Sequence, residues 1–153
     1  MGSDVAAELH LTLQERGETV GCAESLTGGE LAALLSGTPG ASATFVGGVV
    51  SYASRVKREV LGVTAERVVS AECAGQMAQG LRSLLGVDWA LSTTGVAGPD
   101  RQEDQPVGTV FVGLAGPGGT SSARFAFEGD RAAIRSATCT AALGHLLAEV
   151  SRG

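Results

Sequence analysis

Apolar and polar positions follow two different periods along the chain, and these periods predict helices and strands in turn. Apolar residues spaced three or four positions apart predict helices, because that spacing places them on one helical face. Short apolar runs that end at glycine or small polar residues predict buried strands. The predicted helices are 4–16, 25–35, 56–61, 71–85 and 130–150, and the predicted strands are 19–23, 45–52, 89–94, 107–115 and 122–127.

The order of these elements predicts an α/β fold. Helices and strands alternate through residue 94, and the last two strands form a hairpin around residues 116–119. Alternation favours a parallel sheet with helices on both faces, and the hairpin adds antiparallel strands. We therefore expect a three-layer α/β/α sandwich with a mixed, mostly parallel sheet and a late antiparallel hairpin. No linker or internal repeat divides the sequence, so residues 1–153 are expected to form a single domain.

Composition and charge narrow the classes of function. The 153 residues are 44% hydrophobic and 18% charged, with a formal net charge of −5, which is typical of a folded globular chain. Because the charge is negative and no basic cluster is present, we expect no nucleic-acid partner. No apolar run reaches bilayer length, and none follows a basic segment at the N-terminus. We therefore expect no membrane partner and no export signal.

The cysteines and glycines add two weaker indications. Cys22, Cys73 and Cys139 form no CxxC pair and lie far along the sequence from His10 and His145. We therefore expect no metal site, and an odd number of thiols in apolar surroundings is typical of the reducing cytoplasm. The 23 scattered glycines fit either close backbone approach to a nucleotide or the composition of a high-GC genome.

One segment places a serine, a tyrosine and a lysine around an apolar strand. A serine beside a lysine is a nucleophile beside a base, a pair that some acyl-transfer enzymes use. Ser42 precedes the predicted strand, whereas Tyr52 and Lys57 follow its far end. At roughly 3.3 Å per residue, a straight strand would hold Ser42 and Lys57 more than about 20 Å apart. Their contact requires a sharp bend at Gly47 and Gly48 or a residue from a partner subunit; otherwise Lys57 lies on a solvated helix face.

A hydroxyl-rich turn between the first strand and the second helix is another candidate site. Its polar and glycine residues are Glu24, Ser25, Thr27, Gly28 and Gly29. A strand, a loop and then a helix start can present backbone N–H groups to an anion. No GK[ST] sequence follows, so the turn is not a Walker A loop. The alternative is that Ser25 or Thr27 only caps the helix.

Two further groups of residues could bind a ligand. Small residues follow the third strand, and they are Thr94, Gly95, Ala97 and Gly98. Their backbone N–H groups suit a carbonyl oxyanion, although the same residues could simply form a tight turn. Arg131 and Arg135 lie one turn apart on the last helix. They could grip a phosphate or pair with neighbouring acidic residues.

The order of the motifs resembles the CinA C-terminal domain family. The motifs are AESLTGG at 23–29, PGAS at 39–42, FVGGVVSYASRVK at 45–57, TTGVAGPD at 93–100 and PVGTVFVGLA at 106–115. The resemblance covers about residues 4–147 and indicates a single CinA C-terminal-like amidase domain. The family is also known as PncC-type nicotinamide-nucleotide amidases, or nicotinamide mononucleotide deamidases. The charged loop at 100–104 and Leu26 depart from its pattern and could alter substrate fit.

The resemblance implies an enzyme that hydrolyses the carboxamide of nicotinamide mononucleotide. The products are nicotinate mononucleotide and ammonia, in pyridine-nucleotide recycling, and no metal or other cofactor is required. Ser42 would be the nucleophile and Lys57 its base. Tyr52 would orient the lysine or relay a proton, and Thr94 would stabilise the oxyanion. The implied substrate-binding residues are Glu24, Ser25, Thr27, Gly28, Gly29, Gly47, Gly48, Gly95, Ala97, Gly98, Arg131 and Arg135.

The resemblance also implies a homodimer that acts in the cytoplasm on a small nucleotide. One alternative is a nucleotide-binding module of the same fold without turnover. It would have no need for a serine, a tyrosine and a lysine in this arrangement. A nucleotide phosphatase is a third possibility, suggested by the glycine-bearing loops alone. The absence of clustered metal-binding carboxylates in the sequence opposes it.

Overall fold

The computed structural model describes residues 2–152, and within that range five helices and five strands follow one another. In chain order they are α1 (Gly2–Arg16), β1 (Val20–Glu24), α2 (Glu30–Ser36), β2 (Phe45–Val50), α3 (Ser54–Leu61), α4 (Ala71–Leu85), β3 (Trp89–Gly95), β4 (Thr109–Gly116), β5 (Gly119–Ala126) and α5 (Arg131–Arg152). A short 3-10 turn, Ala41–Ala43, precedes β2. Each predicted helix and strand is present. The largest shift is in α2, which begins at Glu30 and leaves residues 25–29 as a separate turn.

The strands form one mixed sheet in the order β2-β1-β3-β4-β5. β1 pairs in parallel with both β2 and β3. The pairs β3–β4 and β4–β5 are antiparallel. The α/β class, the mixed sheet and the late hairpin are therefore confirmed. Because β5 is antiparallel to β4, and β4 is antiparallel to β3, β5 runs in the same direction as β1, β2 and β3. Four of the five described strands therefore share one direction, which confirms the mostly parallel sheet.

Helices cover both faces of the sheet and enclose two apolar cores. α1, α2 and α5 pack on one face, where Leu9 and Leu143 are fully buried. α3 and α4 pack on the other face, where Met77 and Leu81 are fully buried. Each such side chain stabilises the fold by about 1.5–3 kcal/mol relative to an exposed position. The three-layer arrangement predicted from the sequence is confirmed.

α4 approaches the sheet closely at Gly113 of β4. A Cβ atom at Gly113 would overlap the carbonyl oxygen of Ala74 in α4. The Ser92 hydroxyl donates to that oxygen over 2.5 Å and accepts the Gly113 N–H over 3.1 Å. A residue without a side chain is thus required where helix and strand meet, and the neighbouring serine satisfies the polar atoms of this buried contact.

The sheet topology brings three loops together at one edge. Because β1, β2 and β3 run parallel, their carboxyl ends meet at the same side of the sheet. Open α/β sheets usually bind ligands at this edge. The turn at 25–29, the β2–α3 connection at 51–53 and the loop after β3 all begin there. Within residues 2–152, no helix is both long and apolar enough to cross a bilayer.

Candidate active site

A buried lysine meets a serine at the carboxyl edge of the sheet. Lys57 Nζ lies 2.9 Å from Ser25 Oγ, 2.8 Å from the Ser51 carbonyl oxygen and 3.1 Å from the Tyr52 carbonyl oxygen. Lys57 is 2% exposed and Ser25 is 8% exposed. The two carbonyl oxygens each require an N–H donor from the lysine. The remaining position on the nitrogen is therefore directed at the Ser25 hydroxyl.

The surroundings of Lys57 favour its neutral form. Burial lowers the pKa of the Lys57 ammonium, and the nearby Cys73 and Glu103 partly oppose this by favouring the charged form. A lowered pKa increases the fraction of neutral amine near pH 7. In the neutral amine, two N–H groups bind the carbonyl oxygens and the lone pair faces Ser25 Oγ. The geometry is that of a nucleophile beside a general base.

Ser25 is held in place by the end of β1 and the start of α2. Its backbone N–H donates to the Thr93 carbonyl oxygen over 3.0 Å. The preceding residue, Glu24, is fully buried, and its carboxylate accepts the N–H groups of Leu31 at 2.8 Å and Ala32 at 2.9 Å. Because a carboxylate at a helix start satisfies N–H groups that have no helical partner, Glu24 joins β1 to α2. Ser25 lies directly after this fixed point.

The Thr27, Gly28 and Gly29 turn is built around Arg135 of α5. Gly28 and Gly29 have φ values of 57° and 107°, which favour glycine. Arg135 Nη2 donates to the Thr27 carbonyl oxygen over 3.0 Å, and a Cβ atom at Gly28 would come within 3.0 Å of the same nitrogen. The Thr27 hydroxyl lies 2.8 Å from that of Thr93. These residues, predicted to bind substrate, form and support the turn that carries Ser25.

A cleft of about 430 Å³ opens above Ser25 and Lys57. Eight of the predicted site residues line it, namely Ser25, Tyr52, Lys57, Thr94, Gly95, Ala97, Gly98 and Arg131. Eight others do not line it, namely Glu24, Thr27, Gly28, Gly29, Ser42, Gly47, Gly48 and Arg135. Of the two arginines that the sequence left open, Arg131 is therefore the one at the cleft.

Tyr52 and Arg131 meet at the rim of the cleft. Arg131 Nη1 donates to the Gly98 carbonyl oxygen and its Nη2 donates to the Tyr52 hydroxyl, both over 2.6 Å. Tyr52 is 57% exposed, and its backbone carbonyl oxygen, not its hydroxyl, accepts from Lys57. The Thr94 hydroxyl donates its single proton to the Val68 carbonyl oxygen over 2.5 Å. In this arrangement that proton is not directed at an oxyanion, so Thr94 holds the cleft wall.

The structure does not bring Ser42 and Lys57 together within the chain. Ser42 is exposed in the 3-10 turn before β2, and Lys57 follows the other end of that strand. β2 stays paired with β1 up to Val50, so the glycine pair Gly47 and Gly48 does not reverse the chain. A serine from a partner subunit is unnecessary for the pair, because Ser25 of the same chain occupies that position.

Gly48 lies where β2 packs closely against β1. A Cβ atom there would come within 2.9 Å of Cys22 Sγ and 3.2 Å of the Cys22 carbonyl oxygen in β1. Gly47 lies beside it in the same strand and is paired with Gly21 of β1. Gly48 therefore allows the close contact between β2 and β1, whereas a Cβ atom at Gly47 would meet only Leu85 Cδ1 of α4, at an ordinary 3.8 Å.

Two positioning residues were missed by sequence reasoning. The Ser51 backbone N–H and hydroxyl both donate to the Glu24 carbonyl oxygen, over 2.7 and 3.0 Å, while the Ser51 carbonyl oxygen binds Lys57. Glu103 accepts the N–H groups of Val68 and Val69 over 3.0 and 2.8 Å. Only Ser51 had a usable signal, because it lies near the carboxyl end of a predicted strand, where open α/β sheets usually bind their ligands.

The fold and the site together define an α/β protein with a buried serine–lysine pair in a cleft at the carboxyl edge of its sheet. Residues 2–150 match the family model described as the CinA C-terminal domain. The chain belongs to the CinA C-terminal domain family.

Curated relatives share the sequence over much of the chain. A CinA-like protein of Frankia casuarinae is 52% identical over 136 residues, which are 86% of this chain and 31% of the relative. A putative competence-damage inducible protein of Bacillus pumilus is 42% identical over 150 residues, which are 95% of this chain and 36% of the relative. The chain thus spans about one third of the length of the curated relatives it matches.

Solved structures of the same superfamily share the fold. A CinA superfamily protein from Klebsiella pneumoniae superposes with a TM-score of 0.96 at 32% identity, over 100% of this chain and 99% of that one. A competence/damage inducible protein from Agrobacterium tumefaciens gives a TM-score of 0.91 at 32% identity, over 96% of this chain and 94% of that one. The sheet order and the helical layers described above are therefore those of the CinA superfamily.

Proposed function

We propose that this protein is an amidohydrolase that converts nicotinamide mononucleotide to nicotinate mononucleotide and ammonia. The observation that carries the proposal is the contact between Lys57 Nζ and Ser25 Oγ at the base of an open cleft. Burying a charged lysine costs folding free energy unless its charge is well paired, and buried ionisable groups in clefts are often functional. The resemblance of the sequence motifs to nicotinamide-nucleotide amidases supports the nucleotide carboxamide as the substrate.

In the first step, Ser25 attacks the carboxamide carbon. The neutral Lys57 amine takes the Ser25 hydroxyl proton while Oγ forms a bond to carbon. The carbonyl π electrons move to oxygen and give a tetrahedral oxyanion. The backbone N–H of Leu26 is the proposed donor to this oxyanion, because Leu26 lines the cleft and the residue after a nucleophile commonly supplies such a donor.

In the second step, the carbon–nitrogen bond breaks and ammonia leaves. The Lys57 ammonium formed in the first step returns its proton to the departing nitrogen, and an ester between Ser25 and the nicotinate carbonyl remains. A water molecule then attacks this ester, and Lys57 accepts the water proton and passes it to Ser25 Oγ. Ser25 and the neutral lysine are regenerated, so each turnover consumes one water and releases one ammonia.

The proposal is tested by measuring ammonia release from nicotinamide mononucleotide, nicotinamide and NAD. We expect release from the mononucleotide, because the cleft is large enough for a nucleotide and presents Arg131 at its rim. Release from free nicotinamide should be much slower, since that substrate lacks the ribose phosphate for binding. Inactivity towards all three compounds would exclude this amidase function.

The alternative that must be distinguished from the enzyme is a nucleotide-binding module without turnover. Calorimetric titration with the mononucleotide and nuclear magnetic resonance of the recovered ligand distinguish the two. Binding with return of intact ligand after prolonged incubation indicates a module. Recovery of nicotinate mononucleotide indicates the enzyme.

We also propose that the protein forms a homodimer in the cytoplasm. β2 is an edge strand, and the side chains of Val46 and Val50 on one of its faces are exposed. Exposed apolar edge strands are prone to pair with another chain. The free, buried cysteines Cys22, Cys73 and Cys139 support a reducing compartment. Light scattering should give twice the chain mass, and Val46→Lys should shift it towards the monomer; a monomeric wild type contradicts the dimer.

A further inference from the structure

A tight turn at residues 102–105 borders the cleft and has an unusual backbone. The Gln105 N–H donates to the Gln102 carbonyl oxygen over 2.8 Å and closes the turn. Glu103 and Asp104 have φ values of 52° and 61°, in the left-handed region that favours glycine. Two consecutive residues other than glycine in this region need support from their surroundings. The contacts of Glu103 provide that support.

Glu103 fastens the turn to the loop before α4. Its carboxylate oxygens accept the N–H groups of Val68 at 3.0 Å and Val69 at 2.8 Å. Arg67 Nη1 donates to the Glu103 carbonyl oxygen over 3.0 Å. Val68 and Val69 themselves line the cleft. The Glu103 contacts therefore hold two walls of the cleft against each other.

The same turn presents Arg101 to the cleft. Arg101 lines the cleft, and its Nη2 donates to the Asp104 carbonyl oxygen over 2.7 Å. Within residues 2–152, no hydrogen bond uses its Nε–H or Nη1–H groups. Arg131 also lines the cleft but already binds Gly98 and Tyr52. Arg101 thus has more donors left for a ligand, and its contact with Asp104 limits the positions of its guanidinium group.

The charges around the rim favour an anion. Arg101 and Arg131 contribute two guanidinium groups to the cleft, and Asp100 contributes one carboxylate. The whole chain has a formal net charge of −5, so the rim is positively charged on a protein whose net charge is negative. Two parallel N–H donors of a guanidinium match two oxygens of a phosphate monoester. A concave site lined by charges of one sign concentrates ligands of the opposite charge.

We propose that Arg101 is the specificity-determining contact for the phosphate group of the nucleotide substrate, and that Glu103 is the positioning residue that holds Arg101 at the cleft. The inference rests on the proposed function only for the identity of the nucleotide. The phosphate contact itself is a binding property and does not depend on turnover.

Binding is measured in a Ser25→Ala background, so that no ligand is consumed. The two probes are nicotinamide mononucleotide and nicotinamide riboside, which differ only in the phosphate. We expect the mononucleotide to bind more tightly. Arg101→Gln should weaken mononucleotide binding by roughly 10-fold to 100-fold, the range for hydrogen bonds to a charged group, and should reduce the difference between the two probes. Arg124→Gln, at an exposed position of β5 outside the cleft, is the matched control and should preserve that difference.

Glu103→Gly tests the positioning role, because glycine adopts the observed φ without strain and removes only the carboxylate contacts. We expect weaker mononucleotide binding, with riboside binding much less affected. Glu103→Gln should restore part of the loss, because its amide oxygen can still accept an N–H group. An equal effect of Glu103→Gly on both probes would show general loosening of the cleft and overturn this role. Arg101→Gln acting equally on both probes, or on neither, would overturn the phosphate contact.

The outcomes separate this inference from the amidase proposal. If wild type releases ammonia from the mononucleotide but Arg101→Gln keeps the full preference for phosphate, the amidase stands and the inference fails. If wild type releases no ammonia but the phosphate preference depends on Arg101, the inference stands and the amidase fails. If neither probe binds to the Ser25→Ala protein, the inference is overturned.

Discussion

Lys57 Nζ lies 2.9 Å from Ser25 Oγ, although the two residues are 32 positions apart in the sequence. The contact follows from the sheet topology, since Ser25 follows β1 and Lys57 follows β2. β1 and β2 are parallel neighbours, so the residues after them emerge at the same edge. Ser51 and Glu24 then fix the distance between the two connections, because the Ser51 N–H and hydroxyl bind the Glu24 carbonyl oxygen.

Replacing the proposed nucleophile should abolish turnover. Ser25→Ala removes the only atom that attacks the carboxamide, and we expect ammonia release to fall by about 10⁴-fold or more, as in other serine hydrolases that lose the nucleophile. Ser42→Ala is the matched control, because Ser42 is exposed outside the cleft. Its activity should stay within about twofold of wild type. Full activity in Ser25→Ala, or inactivity in a folded Ser42→Ala, would reverse the choice of serine.

The sequence allowed the layers, the mixed sheet and the segments around the cleft to be predicted, because apolar periodicity and glycine positions are local signals. It did not identify the serine that meets Lys57. Ser42 and Lys57 share one motif, whereas the contact of Ser25 with Lys57 depends on which strands are neighbours. The contacts of Glu103 were also not predictable, because they depend on a left-handed turn that the sequence of residues 102–105 does not indicate.

The pH dependence of turnover should report the titration of Lys57. Because only the neutral amine can accept the Ser25 proton, kcat/KM should rise with pH and level off above the pKa of Lys57. Burial lowers that pKa, so the midpoint of the rise in kcat/KM should lie at a pH below the ordinary lysine pKa of about 10.4. Lys57→Met should lose about 10²-fold to 10⁴-fold in activity, the range for a general base. A wild-type profile that still rises at the ordinary lysine pKa would contradict a buried base.

The titration of Lys57 should also make the free energy of unfolding depend on pH. The folded-state pKa of Lys57 is lowered, so the unfolded chain binds more protons in the window between that value and about 10.4. Within this window the free energy of unfolding gains a contribution that rises with pH. Below the window, the penalty for the buried charge is fully present. Urea unfolding of wild type and Lys57→Met across this range should show the difference between them shifting in favour of wild type as pH rises; a pH-independent difference would contradict the lowered pKa.

Glu24 should stabilise the fold as well as the site. Glu24→Gln keeps one acceptor but turns an NH₂ group towards the N–H of Leu31 or Ala32, which the carboxylate now accepts. We expect the free energy of unfolding to fall by about 1–3 kcal/mol, the cost of a buried donor left unsatisfied. Glu8→Gln, at an exposed position of α1, should change it by less than about 0.5 kcal/mol. Equal stability of the two variants in urea unfolding would remove the role assigned to Glu24.

Two glycine-to-alanine changes should act in opposite directions. Gly113→Ala places a methyl group against the Ala74 carbonyl oxygen and beside the Ser92 hydroxyl, which forces α4 away from β4. We expect a loss of about 1–3 kcal/mol or more, as for other overpacked interiors. Gly144→Ala lies within α5, where an added Cβ meets no atom within 4 Å. It should stabilise the protein by about 0.5–1 kcal/mol, because alanine loses less backbone freedom in a helix. Urea unfolding of both variants measures these changes in the free energy of unfolding. Wild-type stability in Gly113→Ala would show that α4 and β4 do not need the close contact.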